Sequence, residues 1–294
     1  MAVLRSPIKI IGGKGVLRKR ILPYFPKHRV YVEPFGGGGS VLLVKEHSEV
    51  EVFNDIDPRI TTLFEVIVDD AQRELLIEQL MLTPYSREER LHSKDHWHDA
   101  KDDVERARMF FVDCRQSLGG MIDRSSWGLV TNTSVRGMAQ PINAYVGAIK
   151  MLPRVAERMK RVLIHNVDYK EMFSAYDGED TLFYLDPPYP RETRRDGWYY
   201  FEMTKEEQEE MVEAARKLQG MVVLSGYPND TYKELKKDGW QLVSFDRSCN
   251  AAARTKHTQL QGDGVIKVTQ GRTECLWLNP KAQKEATDES TEQT

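Results

Sequence analysis

The sequence predicts an α/β fold built on a mostly parallel sheet with a mainly helical insert, and three observations carry that prediction. Strand, glycine turn, helix and strand follow one another between residues 29 and 57. The same alternation returns between residues 181 and 278. The stretch from 60 to 160 reads as largely helical instead. Strands that alternate with helices form a parallel sheet, with ligands at the carboxyl ends of the strands.

In chain order, residues 29–34 (RVYVEP) form a short β-branched and aromatic run. Gly36, Gly37, Gly38 and Gly39 follow, and then residues 40–46 (SVLLVKE), expected as a helix with Ser40 near its cap. A second strand at 50–54 ends in Asp55-Ile56-Asp57-Pro58. Helical pattern is clearest at 71–82 and 104–112. Between them and the next strand, residues 117–141 break the helical period with Gly, Ser, Thr and Asn. The run 181–185 (TLFYL) ends in Asp186-Pro187-Pro188-Tyr189, where two prolines stop a strand. Thr204 with Glu207 makes a capping box for a helix that presents Met211, Ala215 and Leu218 on one face and ends at Gly220. Strands at 221–224, 241–245 and 274–278 complete the set.

Composition narrows the function. The chain has 294 residues, 40% apolar and 30% charged, which suits one large or two small globular domains. With 42 Lys+Arg against 45 Asp+Glu the net charge is −3, so bulk charge does not announce a nucleic-acid binder. The distribution does more. Arg5, Lys9, Lys14, Arg18, Lys19, Arg20, Lys27 and Arg29 precede any acid, giving +8 over residues 1–32, and residues 105–165 carry ten basic against four acidic side chains, net +6. A basic, glycine-rich loop on a helical insert suits a grip on nucleic acid. Three scattered cysteines give no disulfide framework or CxxC metal site. There is no membrane-spanning run and no secretory leader pattern, so a cytoplasmic protein is expected, with no membrane and no obligatory protein partner. His92, His96 and His98 share helical spacing, but Lys and Asp surround them and the chemistry below needs no metal. Trp97 between them is expected as a core anchor. The polar residues 281–294 read as a flexible tail.

Two motifs carry chemistry. The glycine run after a strand lets backbone approach a ligand, and Asp55 at the next strand end can accept two hydrogen bonds from ribose hydroxyls; together they point to an adenosine-containing ligand. GxGxxG and GxxxxGK[ST] are both absent, which weakens dinucleotide and P-loop readings. In Asp186-Pro187-Pro188-Tyr189, the Asp carboxylate and the Pro187 carbonyl are acceptors held by two prolines, and Tyr189 offers a flat ring. That set suits a planar amine on an aromatic heterocycle.

With these residues in view, the sequence resembles the S-adenosylmethionine-dependent DNA adenine-N6 methyltransferases, in the DNA adenine methyltransferase-like group whose target-recognition segment lies between the cofactor and catalytic motifs. The matches run in order over residues 8–280: Gly12-Gly13-Lys14, then Glu33-Pro34-Phe35 with the glycines and Ser40, Asn54-Asp55-Ile56-Asp57, Asp186-Pro187-Pro188-Tyr189, and residues 198–201 (WYYF). The resemblance implies a Rossmann-like methyltransferase sheet, mostly parallel with one antiparallel strand. It implies a catalytic domain of residues 1–60 and 162–280 and a helical target-recognition domain of 61–161 with a DNA-contacting loop at 117–141. It also implies S-adenosyl-L-methionine as cofactor and double-stranded DNA as partner. Cofactor-binding residues would be Ile10, Lys14, Glu33, Phe35, Gly36, Gly38, Asp55, Asp168 and Asp186; catalytic residues would be Asp186, Pro187 and Tyr189. Ile10 stands where many relatives have an aromatic, so the cavity wall there should be aliphatic, and four successive glycines predict a looser loop than the family's.

On this reading the sulfonium is already a good electrophile, and the protein's task is positioning and charge adjustment at the acceptor nitrogen. The base must leave the duplex to reach the cavity, and Tyr189 would receive it by stacking. Arg115, Arg124 and Arg136 are candidates for phosphate or base-edge contacts, and Arg194 and Arg195 for the phosphates of the flipped nucleotide. Two alternatives stand beside it: methylation of another planar amine (cytosine N4, RNA adenine or protein glutamine), and a non-catalytic DNA-binding module. The leading Asp of the catalytic motif favours adenine.

Overall fold

A computed structural model describes residues 3–10, 12–117, 120, 122, 134–188, 201–247 and 272–283 of the chain. Its elements are, in order, α1 (Arg18–Ile21), β1 (Val30–Glu33), β2 (Val50–Asn54), α2 (Pro58–Val68), α3 (Asp70–Leu82), α4 (Arg87–His96), α5 (Asp103–Gln116), the short strands β3 (Ser134–Val135) and β4 (Met138–Ala139), α6 (Gln140–Ile149), α7 (Leu152–Met159), β5 (Leu163–His165), α8 (Tyr169–Tyr176), β6 (Thr181–Leu185), α9 (Lys205–Arg216), β7 (Met221–Gly226), α10 (Asp230–Lys233), β8 (Gln241–Arg247) and β9 (Arg272–Leu278). Seven strands form one sheet in the order β5-β2-β1-β6-β7-β9-β8. All run parallel except β9, which pairs antiparallel with both β7 and β8. This is the Rossmann-like sheet with one reversed strand that the sequence predicts.

Both faces of the sheet are covered, and period-two alternation along each strand decides which side chain goes where. Tyr31, Phe53, Tyr184, Val223 and Leu276 point into a cluster shared with α2, α5 and α7, through Leu63, Phe64, Phe110, Phe111 and Val155. Val32, Val52, Phe183, Leu224 and Trp277 point the other way, against Phe173 of α8 and Met211 and Ala215 of α9. The helices between β2 and β5 therefore share one apolar core with the sheet. A second theme there is buried charge. Asp57 caps α2 and holds the Arg59 guanidinium at 2.7 Å, which also lies 5.1 Å from the half-buried Trp97 ring and 5.2 Å from Phe110. Arg90 of α4 pairs with Asp113 of α5 at 3.0 Å.

Several local expectations need correction. Residues 40–46 do not form a helix: the chain makes turns there, in which Leu43 N donates to the Gly39 carbonyl at 3.0 Å and both Val44 N and Lys45 N to the Val41 carbonyl at 3.1 Å, too short a run to propagate. The capping box of α9 is present, yet the helix ends at Arg216 rather than Gly220. Gly220 serves a close approach instead, since a Cβ on it would lie 2.8 Å from the Thr181 carbonyl oxygen. The strand β5 and the helix α8 were not foreseen. Residues 281–283, placed in the tail by composition, pack on the fold, with Ala282 buried and Gln283 Nε2 donating to the Gly239 carbonyl at 2.9 Å. Cys114 and Cys275 are buried. Among the described residues no helix is long and apolar enough to cross a membrane.

Candidate active site

The carboxyl ends of β1, β2 and β6 surround one cavity. β1 is flanked by β2 on one side and β6 on the other, so chain connections diverge here, the topological switch point at which open α/β sheets bind ligands. From Glu33 the chain enters the glycine run, and it is held tightly rather than loosely. Gly36 N donates to the Asn54 carbonyl at 2.8 Å, an approach so close that a Cβ on Gly36 would lie 2.1 Å from the Phe53 ring. Gly37, at φ +51°, donates its N–H to Asp55 Oδ2 at 2.8 Å. The expectation of a loose loop is thus reversed: bare backbone lets β2 bind the loop directly.

Asp55 is organised by the same contacts. Its Oδ1 accepts from Asp57 N at 2.9 Å, while Asp57, not Asp55, caps α2. Burial pushes the Asp55 carboxyl up to about 7, against the pull of the two backbone N–H groups. Each oxygen carries one amide donor and keeps a lone pair for a ligand hydroxyl. Asn54 fixes the strand end by donating to the Pro34 and Val167 carbonyls at 2.9 and 3.0 Å.

The opposite wall is ionic. Lys14 is 3% exposed, and its Nζ reaches Asp186 Oδ1 at 2.5 Å, Glu274 Oε1 at 3.2 Å and the Gly12 carbonyl at 3.3 Å. Burial would lower the Lys14 pKa, but Asp186 and Glu274 more than compensate and hold the ammonium charged. Burial lifts Asp186 to about 6, opposed by Lys14. Glu33 is lifted to about 8, by burial first and by the Asp186 charge second. At neutral pH Asp186 is therefore an ionised acceptor beside a protonated Glu33. Lys14 takes one Asp186 oxygen, and among the described residues the second carries no hydrogen bond.

Of the residues singled out from sequence, Ile10, Lys14, Glu33, Phe35, Gly36, Gly38, Asp55 and Asp186 all line this cavity. Pro187 is buried and is not among the lining residues, whereas Pro188 is. Asp168 does not reach it: its carboxylate caps α8 by accepting from Lys170 N. Tyr189, Arg124, Arg194 and Arg195 lie outside the described residues. Arg115 is turned inward, with Nε and one terminal nitrogen donating to the Pro7 and Ser6 carbonyls at 2.6 and 2.7 Å. Arg136 is exposed at the tip of the β3–β4 hairpin, where it and Gly137 both have positive φ, the backbone of a tight primed turn. His92 and His96 stack at 4.8 Å on the exposed face of α4, and among the described residues no three His, Cys, Asp or Glu side chains could hold a metal ion.

Ile56 and Phe201, named from sequence only as members of motifs, supply apolar lining; sequence reasoning passed over Ile60 and Ile122, which do the same, and Glu274, the second carboxylate on Lys14. Glu274 had a visible signal: an acid within an otherwise apolar strand, ECLWL. The wall as a whole offers a glycine cradle, a hydroxyl acceptor at Asp55, aliphatic and aromatic surface and an acidic side at Glu33 and Asp186. Those donors and acceptors fit a nucleoside bearing a positive charge.

A glycine-lined cavity at the switch point of such a sheet, with Asp186 and Pro188 in its wall, is the arrangement of a group-transfer enzyme. The family model for D12 class N6 adenine-specific DNA methyltransferases matches residues 11–247, and the chain belongs to that family. Among curated proteins it is similar to the DNA adenine methylase of Vibrio cholerae, 26% identical over 271 residues, covering 87% of this chain and 94% of that protein. Partial similarity extends to two modification methylases: StsI of Streptococcus sanguinis, 39% identical over 62 residues (21% of this chain, 9% of StsI), and LlaI of Lactococcus lactis, 24% identical over 195 residues (63% of this chain, 30% of LlaI).

Proposed function

We propose that the chain transfers a methyl group from S-adenosyl-L-methionine to N6 of an adenine extruded from double-stranded DNA, acting in the cytoplasm. The single observation that carries the mechanism is the Lys14–Asp186 pair at 2.5 Å on the rim of the glycine-cradled cavity. S-adenosylmethionine, when bound, supplies an electrophilic methyl on a sulfonium. Asp55 accepts the ribose hydroxyls, Gly36 and Gly38 present backbone to the ligand, and Phe35, Ile56 and Ile60 cover its apolar surface.

Adenine N6 is a weak nucleophile because its lone pair is delocalised into the ring. Asp186, kept ionised by Lys14, accepts one amine hydrogen, and the Pro187 carbonyl accepts the other. Both draw electron density toward N6 and stabilise the positive charge that develops there. Positioning supplies the rest, and no covalent enzyme intermediate is needed. Extrusion of the base costs a few kcal/mol, and stacking on Tyr189 recovers about 1–3 kcal/mol. Residues 61–161 act as the target-recognition unit, with exposed Arg136 at a hairpin tip as a contact to phosphate or base edge. Transfer of labelled methyl to duplex DNA, followed by digestion and identification of the modified nucleoside, tests the proposal. N6-methyladenine is expected, and its loss in Asp186→Ala. Label on cytosine, RNA or protein would overturn it.

A further inference from the structure

The first turn of α9 is fixed by its reciprocal box: Glu207 N donates to Thr204 Oγ1 at 3.1 Å and Thr204 N to Glu207 Oε2 at 2.7 Å. The next residue, Gln208, heads the buried stripe that continues through Met211, Val212 and Ala215, and it is 2% exposed. A primary amide at an apolar-stripe position carries a desolvation cost unless it is hydrogen-bonded. Its partner is the catalytic corner. Gln208 Nε2 donates to the Pro188 carbonyl at 2.9 Å.

That contact meets a specific need. Pro187 and Pro188 have no backbone N–H, so the corner after Asp186 cannot be tied to the fold through amides of its own at these two residues. Proline fixes φ but leaves ψ free to rotate the following peptide. Lys14 grips the corner at Asp186, and Gln208 grips it at Pro188, so the segment carrying both amine acceptors is held at each end.

We propose that Gln208 is a positioning residue for methyl transfer, orienting the Asp186-Pro187-Pro188 corner toward the cavity without touching the reactants. This rests on the reading of that corner as the acceptor of the target amine. Gln208 does not line the cavity and acts only through Pro188, so its loss should lower the transfer rate by more than it changes cofactor affinity.

The test compares wild type with Gln208→Leu and Gln208→Glu in labelled methyl transfer to duplex DNA, alongside cofactor titration and thermal unfolding. Leucine suits the apolar stripe, so Gln208→Leu is expected to keep its Tm and cofactor Kd while kcat falls by roughly tenfold to a hundredfold, the scale of a small misplacement of reacting groups. Glu can donate to the Pro188 carbonyl only when protonated, so the activity of Gln208→Glu relative to wild type should rise as pH is lowered from about 8 to about 6. An unchanged kcat in Gln208→Leu, or a loss of Tm and cofactor affinity in proportion to kcat, overturns the inference; so does a flat activity ratio with pH for Gln208→Glu. If these results come with active wild type, only the positioning role falls. Wild type that methylates no adenine overturns the function itself.

Discussion

Lys14→Met is the sharpest probe of the site, because it removes a cation that two carboxylates share and leaves an unbranched side chain of similar length. Asp186 is 18% exposed at its side chain and Glu274 2%, so both would be left largely buried without their shared partner. Removing one partner of a buried pair costs about 3–5 kcal/mol. At about 2–4 °C per kcal/mol for a chain approaching this size, Tm should fall by roughly 10 °C near neutral pH. The direction with pH follows from linkage. Asp186 already titrates at about 6 in the fold, above its ordinary 3.8, so the folded state binds more protons than the unfolded chain and stability falls as pH rises through that window. Without Lys14 the folded value moves higher and the window widens upward. The deficit of the variant should therefore shrink on going from about pH 8 to about pH 5, where protonation neutralises Asp186. Methyl transfer at neutral pH should fall by about a hundredfold or more, as Asp186 loses its ionised form. Calorimetric unfolding at the two pH values, with activity beside it, makes the check. An equal Tm deficit at both, or none at either, would refute the ionic account of this wall.

Three further outcomes follow from the geometry. Gly36→Ala drives a Cβ into the Phe53 ring at 2.1 Å and should cost about 1–3 kcal/mol or more together with cofactor binding; Phe53→Leu added to it should restore part of the stability in urea melts. Cofactor hydroxyls favour ionised Asp55 and a sulfonium favours ionised Glu33, whose pKa values stand near 7 and 8, so affinity should strengthen as pH rises through that range and protons should be released. Titration calorimetry in buffers of differing ionisation enthalpy measures this, and affinity that is flat or weakens with pH would contradict it. Arg115→Leu frees the Ser6 and Pro7 carbonyls and should destabilise by about 2 kcal/mol, with faster amide exchange around Ile8; a loss confined to DNA affinity would instead make Arg115 a DNA contact.

Much of this protein was legible in the sequence because the relevant signals are local. Two prolines stop β6 wherever it lies, Thr204 and Glu207 close a capping box within one turn, and a glycine run before an acidic strand end marks a close backbone approach. Those residues specify their own geometry, and the cavity lining at Glu33, Gly36, Asp55 and Asp186 follows from them. Residues 40–46 misled for the complementary reason: SVLLVKE has helical composition, but its backbone closes in turns over too few residues to propagate a helix.

What only the tertiary structure decided are the destinations of long side chains. Lys14 meets Asp186 across 172 residues, Arg115 turns inward to the Ser6 and Pro7 carbonyls, Glu274 shares the Lys14 ammonium, and Gln208 spends its amide on Pro188. Sequence records that a charge or an amide is present. Which partner it finds depends on how strands far apart in the chain are brought side by side, and on the cost of leaving any buried polar group without one.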